Sequence, residues 1–194
     1  MHRPPSLILA SQSPYKRRLF GRLGIDFEAK SPAIDERRRD GESAPEMARR
    51  LAIEKAQALA ADHPDAFIIG SDQVIALEEQ LFQKPGTPQR AIDQLQKLQG
   101  KTHRLINSVA LYPGEETITH STTVYEMVMR PLSIDQIQSY VAEDNPIDCA
   151  GSYRIESAGI RLFEATRGDD PTAIEGIPLT RVWTLLLKAG WPNG

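Results

Sequence analysis

The sequence predicts an α/β protein with a mixed sheet and flanking helices. Three observations carry this. Short apolar runs at Ser6–Ala10 and Ala66–Ile69 have the length and composition of buried strands. Segments with helical periodicity and capping signals alternate with them. Residues 102–112 and 117–129 read as a strand pair joined through Pro113-Gly114.

After the first strand, Ser13 is the expected N-cap of a helix with Pro14 at its first position. That helix runs through Arg18, Leu19, Phe20 and Leu23 and stops at Gly24, and a strand is expected over Ile25–Ala29. Ser43 and Glu46, three apart, form a capping box; Met47, Leu51, Lys55 and Leu59 follow at four-residue spacing, so a helix runs on toward Pro64. The strand at Ala66–Ile69 leads into Gly70-Ser71-Asp72-Gln73 and then Val74–Leu77. Thr87-Pro88 starts a helix with Ala91, Ile92, Leu95 and Leu98 on one face and Gly100 beyond its end. Ser133 and Gln136 cap a helix containing Ile134, Ile137 and Val141. Gly159–Ala165 reads as a strand, and Pro178–Ala189 as a terminal leucine-rich helix stopped by Gly190. No linker divides the chain, so residues 1–194 are expected to form a single domain.

Composition narrows the function classes. A hydrophobic fraction of 40% and a charged fraction of 25% are those of a soluble globular protein. A net charge of -3 argues against a whole-protein electrostatic grip on nucleic acid, while leaving room for a local basic patch. One cysteine, Cys149, rules out an intramolecular disulfide and a multi-cysteine zinc site. The apolar run after Met1–Pro5 is too short for a signal-peptide core, and no run reaches membrane-spanning length, so a cytoplasmic protein without membrane contact is expected.

Several residues could carry chemistry. Ser11, Ser13, Lys16, Arg17 and Arg18 gather at a helix start, where free N–H groups favour an anion; the alternative is a capped helix with a solvated basic face. Gly100-Lys101-Thr102 resembles the end of a P-loop, but Leu95 stands where its first glycine is required. Asp72, after an apolar strand, could hold a divalent ion or orient a water; spacing alone favours a turn-forming aspartate. Lys55 lies on an apolar helix face, either aimed at a cleft or extending along the helix margin. Glu36, beside three arginines, is a metal-ligand candidate or a solvated loop acid, and Lys84 a cleft lysine or part of a turn. Cys149 has no histidine base in evidence and reads as a buried small hydrophobe.

Taken in order, Ser-x-Ser-Pro-x-Lys-Arg at 11–17, Asp35-Glu36, Glu54-Lys55-Ala56, Gly70-Ser71-Asp72-Gln73, Lys84-Pro85, Ala150-Gly151-Ser152-Tyr153 and Gly176-Ile177-Pro178-Leu179 resemble the Maf-like nucleotide pyrophosphatases. Gly-Ser-Asp-Gln, Tyr15 and Glu156 are most similar to the 7-methyl-GTP pyrophosphatase subfamily. The resemblance implies an ITPase-like fold with two lobes around a central cleft. It implies hydrolysis of a nucleoside triphosphate to monophosphate and diphosphate, here 7-methyl-GTP, removing a modified nucleotide. It also implies a divalent cation, Mg²⁺ or Mn²⁺, held by Glu36 and Asp72, and suggests a homodimer.

By position, Ser13 and Lys16 should hold phosphates with Arg17 nearby. Glu36, Lys55, Asp72 and Lys84 should line the reaction centre, with Asp72 as proton acceptor, and Tyr15, Gln73 and Glu156 should select the base. Lys16 stands where the family usually has arginine, and Tyr15 where some members have tryptophan. Two other readings are a dTTP or UTP pyrophosphatase of the same family and a non-catalytic nucleotide- or RNA-binding regulator. The regulator would use Arg37-Arg38-Arg39 and Lys16-Arg17-Arg18.

Overall fold

The computed structural model describes residues 5–113 and 118–192; the expected turn at Gly114 and strand start at Thr117 lie outside them. Among the described residues the strands are β1 (Leu7–Ala10), β2 (Glu28–Lys30), β3 (Phe67–Leu77), β4 (Gln80–Phe82), β5 (Thr102–Pro113), β6 (Thr119–Met129) and β7 (Phe163–Arg167). The helices are α1 (Pro14–Phe20), α2 (Ala44–Ala60), α3 (Pro88–Leu98), α4 (Ile134–Asp144) and α5 (Leu179–Lys188). The sheet order is β2-β1-β3-β5-β6-β7, with β4 also on β3. β1 pairs in parallel with β2 and β3, whereas β3–β4 and β6–β7 are antiparallel, so the sheet is mixed as expected. No helix among the described residues is long and apolar enough to cross a membrane. The chain divides into two compact units: residues 1–73, 107–123 and 170–194, and residues 74–106 and 124–169.

In the first unit, β1 is buried along its whole length because both of its faces are covered. Leu7 and Leu9 join Leu19, Phe20, Ile177, Val182 and Leu186, so α1 and α5 lie on one face. Ile8 and Ala10 join Ala56 and Leu59, so α2 lies on the other. The helix starts follow the local signals. Ser13, Ser43, Thr87 and Ser133 each cap a helix, and Ser43–Glu46 and Ser133–Gln136 form complete capping boxes. The second unit has its own core, with Leu95, Leu98, Leu105, Ile106, Met127 and Met129 almost fully buried. There the rings of Tyr153 and Phe163 meet edge-on, their centroids 4.8 Å apart.

Four expectations are corrected. The first helix gives way after Phe20 to a 3-10 turn, Gly21–Leu23, closed by Gly24 at φ 68°. The second strand is Glu28–Lys30 rather than 25–29, because parallel pairing sets Ala10 opposite Lys30; Ile25 and Phe27 pack on the core instead. The segment at Gly159 is a 3-10 turn, Ala158–Leu162. Its amide donates to the Arg154 carbonyl at 2.9 Å, and the strand begins only at Phe163, which pairs with Met129. β4 was not expected, and Glu78, at φ 53°, turns the chain into it.

A fifth correction bears on function. Gly70-Ser71-Asp72-Gln73 is not a turn but the middle of the eleven-residue strand β3. A Cβ on Gly70 would lie 2.0 Å from the Ala52 carbonyl oxygen and 2.8 Å from the Ala56 nitrogen. Glycine therefore lets the backbone of α2 lie directly against β3. Ala52 and Ala56, both fully buried, keep the α2 face small enough for the same approach.

Candidate active site

Side chains alternate across a strand, so Gly70 and Asp72 share the face that α2 covers, while Ser71 and Gln73 share the other. On the first face, the helical spacing that buries Leu51, Ala52, Ala56 and Leu59 also buries Lys55. The Lys55 ammonium donates to Asp72 Oδ1 at 2.6 Å and lies 2.8 Å from Glu36 Oε1. Both Lys55 and Asp72 are 8% exposed, whereas Glu36 reaches them from an exposed loop. Burial by itself would lower the pKa of Lys55, but Asp72 and Glu36 outweigh it and hold it above the ordinary lysine value. The lysine is thus a fixed cation shared by two carboxylates.

On the other face, Lys16 Nζ donates to the Ser71 carbonyl at 2.8 Å, and Gln73 Nε2 donates to the Ala173 carbonyl at 3.0 Å. Gly176, at φ 115°, leaves the nearest atoms of Lys16 and Gln73 3.8 Å and 4.0 Å from where a Cβ would stand. Ser13 Oγ accepts the Lys16 amide at 3.3 Å and so serves as the helix cap. Tyr15 is half-buried and Arg17 exposed.

Lys84 and Glu156 belong to the second unit, and both are exposed. The turn that carries Glu156 is pinned to α4: Tyr140 Oη accepts the Arg154 amide at 3.0 Å and donates to Asp144 at 2.8 Å, and Ser157 Oγ donates to Asp144 at 2.7 Å. Cys149 is half-buried rather than fully buried, and burial pushes its thiol up to about 11, which leaves it protonated and a poor nucleophile.

The arginine run at 37–39 is engaged within the chain. Arg37 pairs with Asp35 at 2.7 Å, Arg38 Nε donates to the Glu42 carbonyl at 2.7 Å, and Arg39 pairs with Glu54 at 2.8 Å. Arg50, which sequence reasoning did not single out, bonds both Glu42 and Glu54. Its guanidinium holds the Glu42 carboxyl down to about 2. The i,i+4 spacing of Arg50 and Glu54 is a sequence signal for half of this arrangement; nothing local announces Glu42.

No set of three His, Cys, Asp or Glu side chains assembles for a metal among the described residues. Glu36 and Asp72 do converge on one cation, and two hard carboxylates fit Mg²⁺ or Mn²⁺ when phosphate oxygens and water complete the shell.

A family model described as Maf-like protein matches residues 6–189. The chain is 46% identical over 187 residues to a 7-methyl-GTP pyrophosphatase of Xanthomonas axonopodis pv. citri, covering 96% of this chain and 98% of that one. It is 44% identical over 187 residues to a 7-methyl-GTP pyrophosphatase of Pseudomonas aeruginosa, covering 96% and 97%. Among solved structures, the Ham1 protein of Staphylococcus aureus is similar in fold, with a TM-score of 0.50 at 16% identity over 94% of this chain and 96% of that one.

Proposed function

The chain belongs to the Maf-like protein family, and from that premise we propose that it hydrolyses 7-methyl-GTP to 7-methyl-GMP and diphosphate. The observation that carries the chemistry is the Lys55 ammonium shared by Asp72 and Glu36. The activity for which relatives at 46% and 44% identity are named supports the substrate.

In this reading, water attacks the α-phosphorus. A new oxygen–phosphorus bond forms, the bond from the α-phosphorus to the bridging oxygen breaks, and diphosphate leaves with that oxygen. Asp72 accepts the proton of the attacking water, a role that suits a carboxylate held in place by a strand and a buried ammonium. Lys55, already fixed, meets the negative charge that develops on the triphosphate without reorganising. Glu36 and Asp72 are the carboxylates that would hold a divalent cation, whose charge neutralises phosphate oxygens. Ser13, Lys16 and Arg17 are assigned to phosphates, Lys84 to the reaction centre, and Tyr15, Gln73 and Glu156 to the base, on the strength of their motif positions.

Diphosphate release measured on 7-methyl-GTP, GTP, UTP and dTTP, each with and without Mg²⁺, tests this. The expected result is metal-dependent release that is fastest with 7-methyl-GTP. Preference for UTP or dTTP overturns the substrate, and no release from any of the four overturns the activity.

A further inference from the structure

We propose that Arg50 is a positioning residue that clamps the Glu36-bearing loop onto helix α2, so that Glu36 meets Lys55. The inference rests on the reading of Glu36, Lys55 and Asp72 as the reaction centre.

Residues 31–39 form neither helix nor strand, so regular structure does not hold Glu36 in place. One guanidinium supplies what is missing. Arg50 Nη2 donates to the carbonyl of Arg37, the residue after Glu36, at 3.0 Å. Its Nε and Nη2 donate to the two Glu42 carboxylate oxygens at 2.6 and 2.8 Å, a bidentate pair. The Glu42 carboxylate also accepts the Arg39 amide at 3.1 Å, while its carbonyl takes Arg38 Nε at 2.7 Å. Arg50 Nη1 reaches Glu54 at 3.0 Å, and Glu54 holds Arg39 at 2.8 Å. The loop is therefore gripped on both sides of Arg38, five residues along the helix from Lys55.

The Arg50 side chain is 12% exposed and that of Glu42 8%, so water screens this pair little. A planar fork that serves a carboxylate, a second carboxylate and a carbonyl at once is a task for arginine; a lysine ammonium cannot reproduce it. Misplacing a reacting or charge-bearing group by about 1 Å can cost about 10²-fold in rate, so a residue that never touches substrate can still set turnover.

The test compares Arg50→Lys, Glu36→Gln and the double variant by steady-state kinetics, on the triphosphate that the wild type hydrolyses best. Amide hydrogen exchange is read in parallel. Arg50→Lys should lower kcat about tenfold or more with KM changed less than about threefold. Amides 36–42 should exchange at least about tenfold faster, while those of 51–59 keep their rates. In the Glu36→Gln background the same change should cost less than about twofold, because the group it positions is already gone. An equal loss in both backgrounds, or unchanged exchange at 36–42, overturns the proposal. If Arg50→Lys does not fold, Glu42→Gln takes its place in the same cycle. A wild type that hydrolyses no triphosphate defeats the functional reading instead, and the exchange rates still decide whether Arg50 holds the loop.

Discussion

Lys55 Nζ lies 2.6 Å from Asp72 Oδ1, and both side chains are about nine-tenths buried. Lys55 rides a helix and Asp72 a strand, and Gly70 between them lets the two backbones touch. A desolvated ion pair of this kind is sensitive to the loss of either charge.

Asp72→Asn keeps the shape of the side chain and removes its capacity to take a proton. We expect kcat to fall by about 10² to 10⁴, the range that a positioned general base contributes. Circular dichroism should report an intact fold, and turnover near that of the wild type would remove Asp72 from the mechanism.

Gly70→Ala places a methyl group against the Ala52 carbonyl, where an added Cβ would stand at 2.0 Å. Backbone on both sides leaves no flexible atom to yield. The expected cost is about 3 kcal/mol or more of stability, at the upper end of overpacking effects. Activity should fall further than the folded fraction does, because α2 carries Lys55 away from Asp72. Urea denaturation beside specific activity per folded molecule reads both, and an unchanged midpoint would show that the two backbones are not in contact.

Asp170 makes stability depend on acid. Its carboxylate is fully buried and accepts from the amides of Thr172 and Thr180, each at 3.0 Å, and from their hydroxyls, each at 2.6 Å. Burial alone would raise its pKa, but these four bonds hold it below the ordinary aspartate value. A carboxyl whose folded pKa is depressed contributes stability that is complete above its unfolded pKa, about 4, and is lost as pH falls through the lower folded value. Asp170→Asn should cost about 1–3 kcal/mol at neutral pH by leaving an amide group opposite N–H and O–H donors. It should also flatten the stability profile below about pH 4. Urea midpoints of both proteins between pH 2 and 7 check this; parallel profiles would contradict it.

Chelation should abolish hydrolysis, with recovery on adding Mg²⁺ or Mn²⁺. Glu36 and Asp72 are two carboxylates without a third acidic or histidine partner among the described residues. Such a pair should bind the cation weakly until triphosphate oxygens join the shell. Calorimetry with Mg²⁺ should therefore give little heat without nucleotide, and full turnover in excess EDTA would refute the metal requirement.

Glu156→Gln tests the base. A carboxylate can accept both donors on the guanine Watson–Crick edge, and its charge suits the cationic ring of a 7-methylated purine. Replacing it should lower kcat/KM for 7-methyl-GTP about tenfold or more, the cost of one unpaired polar group, with a smaller change for UTP and dTTP. A uniform change across all three substrates would return Glu156 to the solvated surface on which its turn sits.

The sequence by itself determined where the helices start and what kinds of side chain the site contains. Ser13, Ser43, Thr87 and Ser133 act on amides three residues away, so their signals are complete within one turn of chain. The ordered motifs, through the family resemblance, assigned Glu36, Lys55 and Asp72 to one reaction centre, but nothing in their spacing showed that Lys55 pairs with both carboxylates. Tertiary structure decided that part. Gly70-Ser71-Asp72-Gln73 has the composition of a turn and becomes strand because β1 pairs with β3 up to Gly70, β5 flanks β3 on its other side, and α2 lies against Gly70. Glu36 and Asp72 come to Lys55 from 19 and 17 residues away, and Arg50 reaches back to Glu42 and Arg37 across 8 and 13. Charge pairing at that range depends on which backbones pack, and packing is settled by the whole buried surface rather than by neighbours in the chain.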